Sequence, residues 1–260
     1  MSLETTPSCV LTSSTPVCLE NYWDNCFDLE AHLRLFLNLD QATLSQQLET
    51  RRHLVTELGQ HFDWATVPDF YRNQVGSAYL FDLSAWHLES RDYIGNTLRL
   101  VADHAEGKVL DFGCGIGTHA IAAACCPRVD QVVCVDLNPV NLEFTRYRAA
   151  QLGLAEKMVF RDAVQEQETF DTVLCFDVLE HLPEPQSQLS HFYHHLNPAG
   201  KIILNWYFFK GFKQEYPFHL DDPCTVSAFF QTLQTHFLEV FHPYLITARC
   251  YRKLPEAQVV

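Results

Sequence analysis

Residues 109–118 read Val-Leu-Asp-Phe-Gly-Cys-Gly-Ile-Gly-Thr, and this stretch decides the fold. Its apolar beginning predicts a buried strand, and the glycines that follow let the chain turn sharply and approach a ligand closely. The small residues of 117–126 then predict a helix that packs closely on a sheet. A strand, a glycine turn and a helix in this order are typical of nucleotide-binding α/β proteins.

Asp111 distinguishes between the ligands that such a turn binds. A carboxylate two residues before the first glycine would repel a pyrophosphate, but it suits the cationic amino group of S-adenosylmethionine (SAM). The third glycine of the dinucleotide pattern is missing, because Thr118 occupies its position. The turn therefore favours SAM over NAD. A nucleotide-dependent oxidoreductase of similar fold stays an alternative that a failure to bind NAD would exclude.

Strands and helices alternate along the rest of the chain. Asn138-Pro139 supplies an N-cap and a first-turn proline for the helix that follows the second strand. The last two strands are separated only by Pro243-Tyr244, which requires an antiparallel hairpin. These patterns predict a doubly wound, mainly parallel sheet with one antiparallel strand at its end. The strands after the first are predicted at 131–135, 158–160, 172–176, 201–206, 237–242 and 245–251.

Acidic residues follow two further strands at the same edge of this sheet. Asp136 ends the second strand, where it can accept hydrogen bonds from both hydroxyls of a ribose. A role as helix N-cap is the alternative, but Asn138 already fills it. Asp162 follows the third strand and is expected beside an adenine, with an ordinary surface aspartate as the alternative.

These motifs resemble those of class I SAM-dependent methyltransferases, from about Tyr93 to the C-terminus. The glycine turn, the acidic second strand end and three later segments carry the resemblance. The segments, in chain order, are VLDFGCGIG, VVCVDLNP, FRDA, FDTVLCFDVLEHLPEP and LNPAGKIIL.

The resemblance implies a Rossmann-like sheet of seven strands in the order 3-2-1-4-5-7-6. It also implies that the glycine turn holds the methionyl group of SAM and that Asp136-Leu137 holds the ribose. Asp162 and Ala163 would flank the adenine, and the strand end at Phe176-Asp177 would lie against the cofactor. The expected cofactor residues are thus Asp111, Gly113, Gly115, Gly117, Asp136, Leu137, Asp162, Ala163, Phe176 and Asp177.

The segment from Asp177 to Pro183 is similar to the corresponding region of quinone-biosynthesis O-methyltransferases. Some of those carry an E-x-x-E-H pattern associated with a divalent ion or with activation of a phenol. Asp177, Glu180 and His181 match its spacing, with Asp in place of the first Glu. A neutral His181 could take the proton of an acceptor. The alternative is local pairing, and we predict no metal.

An aromatic insertion spans about 206–223, after the fifth strand. It leaves the edge of the sheet at which ligands bind in such folds. We predict a substrate lid in which Tyr207 and Phe208 pack on the acceptor and Asp221 orients it. His219 is a second candidate catalytic residue. The alternative is a hydrophobic plug between the N-terminal helices and the sheet.

Residues 21–92 predict a helical cap, preceded by a flexible tail at 1–20 rich in Ser, Thr and Pro. Aromatic residues are dense between 64 and 93. Some of these rings, Tyr79 and Trp86 among them, are expected to line a substrate cleft. The alternative is that they only bury the cap against residues 93–260, which form the predicted SAM-binding domain.

A second histidine cluster lies between the fourth and fifth strands. His191, His194 and His195 are close in sequence, a pattern that could indicate a metal site. We interpret them as a solvated helix face, distant from the glycine turn.

The amino-acid composition restricts the classes of partner that this protein can bind. The chain of 260 residues has 18 basic and 32 acidic side chains and a formal charge of −14, which repels nucleic acid backbones. The only short basic cluster is Arg51-Arg52. No apolar run approaches the length of a membrane span. Ten scattered cysteines without a C-x-x-C pair indicate reduced thiols in a cytoplasmic protein.

Together these patterns predict an enzyme that transfers a methyl group from SAM to N or O of a small molecule, in secondary or specialised metabolism. Excess acid slightly favours an amine or guanidine acceptor, with a phenol close behind. An inactive SAM-binding or partner-binding module is the alternative from another class. A monomer or homodimer is expected.

Overall fold

The computed structural model describes residues 19–51, 54–60 and 62–255. The predicted tail at 1–18, and Arg52 of the short basic cluster, lie outside them. Leu19, which was assigned to the tail, is fully buried, and Glu20 begins the first helix.

The N-terminal segment is helical, as predicted, but it is divided into short pieces. A π-helical turn follows its fifth helix at Phe70–Gln74. The predicted boundary at 92–93 falls inside a helix that continues to His104, so the division into cap and domain remains a prediction. The helices are α1 (Glu20–Asn25), α2 (Leu29–Phe36), α3 (Gln41–Arg51), α4 (Leu54–Gly59), α5 (Val67–Asp69), α6 (Ala78–Glu89) and α7 (Arg91–His104).

The remainder is a seven-stranded sheet with flanking helices, and its order β3-β2-β1-β4-β5-β7-β6 confirms the predicted fold. Only β7 runs antiparallel to its neighbours. The strands are β1 (Gly107–Phe112), β2 (Val129–Val135), β3 (Met158–Arg161), β4 (Phe170–Cys175), β5 (Leu196–Leu204), β6 (Phe237–Val240) and β7 (Arg249–Lys253). The helices between them are α8 (Thr118–Cys125), α9 (Pro139–Gln151), α10 (Pro185–His195) and α11 (Pro223–His236).

Local sequence explains these boundaries. The alanines of α8 are buried and let that helix pack closely on β2. The Asn138 side chain accepts hydrogen bonds from the N–H groups of Val140 and Asn141, which confirms it as the N-cap of α9. Asp222 caps α11 in the same way through the N–H of Thr225.

Two boundaries differ from prediction. The final hairpin is antiparallel, but residues 241–248 separate its strands, and Leu245 is fully exposed instead of starting a strand. Strand β5 begins at Leu196, five residues before the predicted start. Residues 197–200 form an irregularity within this strand, where Ala199 has a φ of 63°.

The N-terminal helices are tied to the sheet domain by Arg148 of α9, whose side chain is fully buried. Its guanidinium donates to the carbonyls of Ile116, at 2.7 Å, and Cys26, at 2.9 Å. Cys26, Phe27 and Asp28 all have left-handed backbone conformations, which are uncommon for residues other than glycine. Arg148 therefore stabilises an unusual turn between α1 and α2 and links it to the glycine turn.

Candidate active site

A cavity of about 420 Å³ lies at the carboxyl ends of β1, β2 and β4, and its other wall is the N-terminal helical segment. This is the edge at which open α/β sheets bind ligands. The predicted site residues that line it are Gly113, Gly115, Asp136, Leu137, Asp162, Ala163, Phe176, Asp177, Tyr79, Trp86 and His181.

The glycine turn forms the floor of this cavity. Gly113, Gly115 and Gly117 have φ values of 73°, 52° and 78°. A Cβ at Gly113 would lie 2.3 Å from Val178, and one at Gly117 would lie 2.3 Å from Thr145. Both the conformation and the space therefore require glycine at these two positions.

Asp136 is buried, and its carboxylate is fixed by two backbone N–H groups. Oδ2 accepts from Gly115 at 2.8 Å, and Oδ1 accepts from Asn138 at 2.7 Å. Each carboxylate oxygen has a second lone pair. Asp136 can therefore also accept hydrogen bonds from a ligand in the cavity.

Asp177 is positioned by a polar network that the sequence does not predict. Asn205 at the end of β5 accepts from the Asp177 N–H at 2.6 Å and donates to its Oδ1 at 2.8 Å. Asn205 also donates to the hydroxyl of Tyr93, which lies 3.0 Å from that of Thr247. This network holds Asp177 at a φ of 53°. The only sequence signal for it is the interruption of an apolar run by Asn205.

Glu180, His181 and His219 form a cluster beside the cavity. Their ligand atoms lie within 4.8 Å of one another, and no other such group of three is found among the described residues. These three side chains are close enough to share a divalent cation. The cluster joins the short 3₁₀ turn Leu179–His181 to the aromatic insertion.

The imidazole of His181 has a defined hydrogen-bonding role. Its Nδ1 lies 3.2 Å from the carbonyl oxygen of Phe218, which can only accept. The proton of the neutral ring is therefore on Nδ1, and Nε2 remains a proton acceptor. The ring of Tyr71, an additional cavity residue, packs edge-on at 5.8 Å.

Burial dominates the electrostatics of the site. It raises the pKa of Asp136 and of Asp177 to about 6. It raises the pKa of Glu180 to about 8, with a further contribution from the charge of Asp177. It lowers the pKa of His181 to about 3 and of His219 to about 4. At neutral pH both imidazoles are uncharged, and a cationic ligand would favour ionisation of the carboxyl groups.

Two more imidazoles, from His87 and His119, line the cavity and were not predicted. His119 stacks on Phe176 with ring centroids 4.0 Å apart and an interplanar angle of 12°. His87 lies on α6, with its ring 6.4 Å from that of His119. Helix packing brings these two residues together, so sequence spacing gives no signal for them.

Two of the predicted cofactor residues do not line the cavity. Asp111 is 2% exposed on β1, and its Oδ2 has no hydrogen-bond partner in the described structure. Gly117 lies behind the turn, as the N-cap of α8. These residues shape the turn from beneath instead of forming its surface.

The predicted lid residues also lie outside the cavity wall. Phe208 packs against Phe229, with centroids 4.9 Å apart. Asp221 forms an ion pair with Lys210 at 3.2 Å. Tyr207 is half exposed and contacts His219, whose ring lies 4.8 Å from that of His181. No described residue of the insertion lines the cavity, but Phe218 and His219 contact His181, which does.

The cluster at 191–195 differs from its interpretation as a solvated face distant from the glycine turn. His195 is buried, and its Nδ1 lies 2.5 Å from the carbonyl oxygen of Glu168. His191 is exposed but lies on the rim of the cavity. Of the three, only His194 is simply exposed.

Comparison with known proteins identifies the class. Residues 110–202 match the family described as "Methyltransferase domain". The chain is 32% identical over 120 residues to the ubiquinone biosynthesis O-methyltransferase of Idiomarina loihiensis, covering 42% of this chain and 49% of that protein. It is 33% identical to that of Photobacterium profundum, covering 42% and 50%. The chain thus spans about half the length of the curated relatives it matches.

A solved structure shares the fold. Geranyl diphosphate methyltransferase in complex with SAM has a TM-score of 0.51 and 14% identity, covering 69% of this chain and 91% of that one. The chain carries a class I SAM-dependent methyltransferase domain, as its motifs predicted, and SAM is the cofactor of this class.

The cavity fits that cofactor. SAM carries a positive sulfonium and an ammonium group, and buried carboxyl groups line the cavity, whereas none of the described residues lining it is Lys or Arg. Asp136 has carboxylate oxygens that could accept hydrogen bonds from ribose hydroxyls, and the glycine turn leaves room for a ligand to approach the backbone closely. Within the described part of the chain, no helix has both the length and the apolar character to cross a bilayer.

Proposed function

We propose that this protein transfers the methyl group of SAM to a phenolic oxygen of a small aromatic acceptor. One observation carries the proposal: His181, a neutral imidazole with an unprotonated Nε2, lines the same cavity as Asp136 and the glycine turn. The aromatic wall of Tyr71, Tyr79 and Trp86 suits a planar acceptor.

When bound, SAM would supply a methyl group on its sulfonium sulfur: the acceptor oxygen would bond to the methyl carbon as the carbon–sulfur bond breaks, and S-adenosylhomocysteine would leave. Gly113, Gly115 and Asp136 would hold the cofactor, with Asp162 and Ala163 at the adenine end. The Nε2 atom of His181 takes the proton of the acceptor hydroxyl as the oxygen forms its new bond. The low pKa of this imidazole keeps it unprotonated at neutral pH. The N-terminal helices exclude water from the reacting groups.

N-methylation of an amine is the second candidate. The carboxyl groups of Asp136 and Asp177, and the lack of Lys or Arg among the described cavity residues, favour an amine that arrives as a cation and loses its proton before transfer. An amine acceptor would depend on Asp177 more than on His181. The O-methyltransferase activity named for the curated relatives supports the phenol first.

The other expectations remain part of the proposal. The chain acts on a small molecule of specialised metabolism, without nucleic acid or membrane as partner, as a monomer or homodimer. Free cysteines, most of them buried, support a cytoplasmic location. Tyr207, Phe208 and Asp221 bind acceptor only if the insertion rearranges.

The first experiment is calorimetric titration with SAM and with NAD. Wild type is expected to bind SAM at micromolar concentration and not NAD, and Asp136→Ala to lose SAM binding. Methyl transfer to a panel of catechols and aryl amines follows. His181→Gln is expected to lower kcat with a catechol by about 10²- to 10⁴-fold, because the base is lost, while the Kd for SAM stays within about threefold.

Three results would change this proposal. Binding of NAD without binding of SAM would favour a nucleotide-dependent oxidoreductase. A folded protein that binds neither would favour the partner-binding module. If the protein methylates amines and His181→Gln keeps this activity, the proposed acceptor would be an amine and not a phenol.

A further inference from the structure

His119 lies at the end of the cavity opposite the predicted adenine position. Asp162 follows β3, whereas Phe176, on which His119 stacks, follows β4. In the order β3-β2-β1-β4 these ends are three strand spacings apart, or about 14 Å. A cofactor with its ribose at Asp136 and its adenine at Asp162 therefore extends its methionyl end toward Phe176 and His119.

The hydrogen bonds of His119 leave one atom for a ligand. The hydroxyl of Thr97 donates to the carbonyl of Ile94 at 2.7 Å, so its oxygen accepts from His119 Nε2 at 2.9 Å. The ring proton is then on Nε2, and Nδ1 is an acceptor. Nδ1 has no hydrogen-bond partner among the described residues. His119 is nine-tenths buried and lines the cavity.

We propose that Nδ1 of His119 accepts a hydrogen bond from the α-ammonium group of bound SAM and positions the methionyl end of the cofactor. The inference rests on the proposed function, since it takes SAM to occupy this cavity. Asp111, the residue that sequence pattern suggests for the ammonium group, does not line the cavity. His119 is therefore a positioning residue for the cofactor.

Binding of the α-carboxylate is the competing role, and it requires a protonated ring. Burial lowers the pKa of His119 to about 3, so protonation at pH 7 is disfavoured by a factor of about 10⁴. A neutral acceptor facing an ammonium group involves no such protonation. The neighbouring His87, whose pKa burial also lowers, adds no cationic charge at this end.

The test measures binding of S-adenosylhomocysteine and of its desamino analogue to wild type, His119→Phe and His119→Asn. Phe keeps a ring on Phe176 but removes the acceptor, whereas Asn keeps an oxygen near the position of Nδ1. Wild type is expected to bind the parent ligand about 10- to 100-fold more tightly than the desamino analogue. His119→Phe should abolish this preference by weakening only the parent ligand, and His119→Asn should retain most of it.

A decarboxylated analogue that keeps the amine completes the design, and it should weaken in His119→Phe as much as the parent. Weakening of both the parent and the desamino analogue, with the decarboxylated analogue unaffected, would assign His119 to the carboxylate and overturn the proposal. Equal weakening of all three ligands would make the residue structural and overturn it also. Failure of wild type to bind any of them would refute the SAM site itself, and this inference with it.

Discussion

Glu180 shows how a single buried residue couples the site to stability. It is 1% exposed, its Oε2 has no partner in the described structure, and its pKa is about 8 in the folded chain against an ordinary 4.5. The folded state therefore binds this proton more tightly than the unfolded state. The stabilising effect is complete below about pH 4.5 and is lost as the pH rises through 8.

Glu180→Gln should remove this dependence, because the amide does not ionise. Between pH 5 and pH 8.5 the free energy of unfolding of wild type should fall by about 2 to 4 kcal/mol more than that of the variant. Urea denaturation at several pH values in that window measures the difference. Glu143→Gln, at an exposed position of α9, should follow wild type throughout. Parallel curves for wild type and Glu180→Gln would show that the carboxyl group ionises freely.

At the scale of elements, the insertion between β5 and α11 packs behind the imidazole of His181. The N–H of Leu220 donates to the carbonyl of Glu180 at 2.6 Å, and the carbonyl of Phe218 accepts from His181. His219 is held by the carbonyl of Phe209 and stacks on Tyr216. The insertion therefore fixes the tautomer and orientation of His181.

His219→Ala should lower turnover at least tenfold, because His181 loses the ring that packs against it. Steady-state kinetics with the acceptor found in the screen measures this loss, and the Kd for SAM should stay near the wild-type value. Phe212→Ala is the matched control, since its side chain is 94% exposed on the same insertion. Equal turnover of the two variants would exclude a role for His219.

The elements also show how much of the fold and the site could be predicted from the sequence. Strands β1 to β4 were predicted within two residues, because each contains a short run of apolar residues that the sequence shows directly. Leu245 and Ile246 misled the prediction of the last hairpin, since an apolar pattern does not reveal that Leu245 is exposed. Gly113 and Asp136 could be predicted because strand and turn are continuous in the chain. His87 and His119 could not, because only the folded chain brings His87 of α6 near His119 of α8.

At the scale of the whole molecule, Arg148 joins the N-terminal helices to the glycine turn. Its side chain donates to carbonyls on both sides and also lies 3.3 Å from the Thr118 hydroxyl. Burial lowers its pKa to about 10, which leaves it charged at neutral pH. Hydrogen bonds to several carbonyl oxygens thus stabilise a charge that is removed from water.

Arg148→Met should lower the free energy of unfolding by about 3 to 5 kcal/mol, because buried carbonyls lose their donor. Chemical denaturation measures the change. Arg146→Met, on the exposed side of the same helix, should change stability by less than about 0.5 kcal/mol. A loss as small as that for Arg148→Met would mean that water replaces the guanidinium.

The turn at Cys26, Phe27 and Asp28 has a consequence for how such chains can be recombined. Its left-handed backbone places the carbonyl of Cys26 against the side chain of Arg148, more than a hundred positions later in the chain. The same Arg148 side chain also donates to the carbonyl of Ile116 in the glycine turn. A chimera that takes its first 90 residues from one parent and the rest from another receives the turn from one parent and Arg148 from the other. Only parents that share both the turn and the arginine should yield folded hybrids.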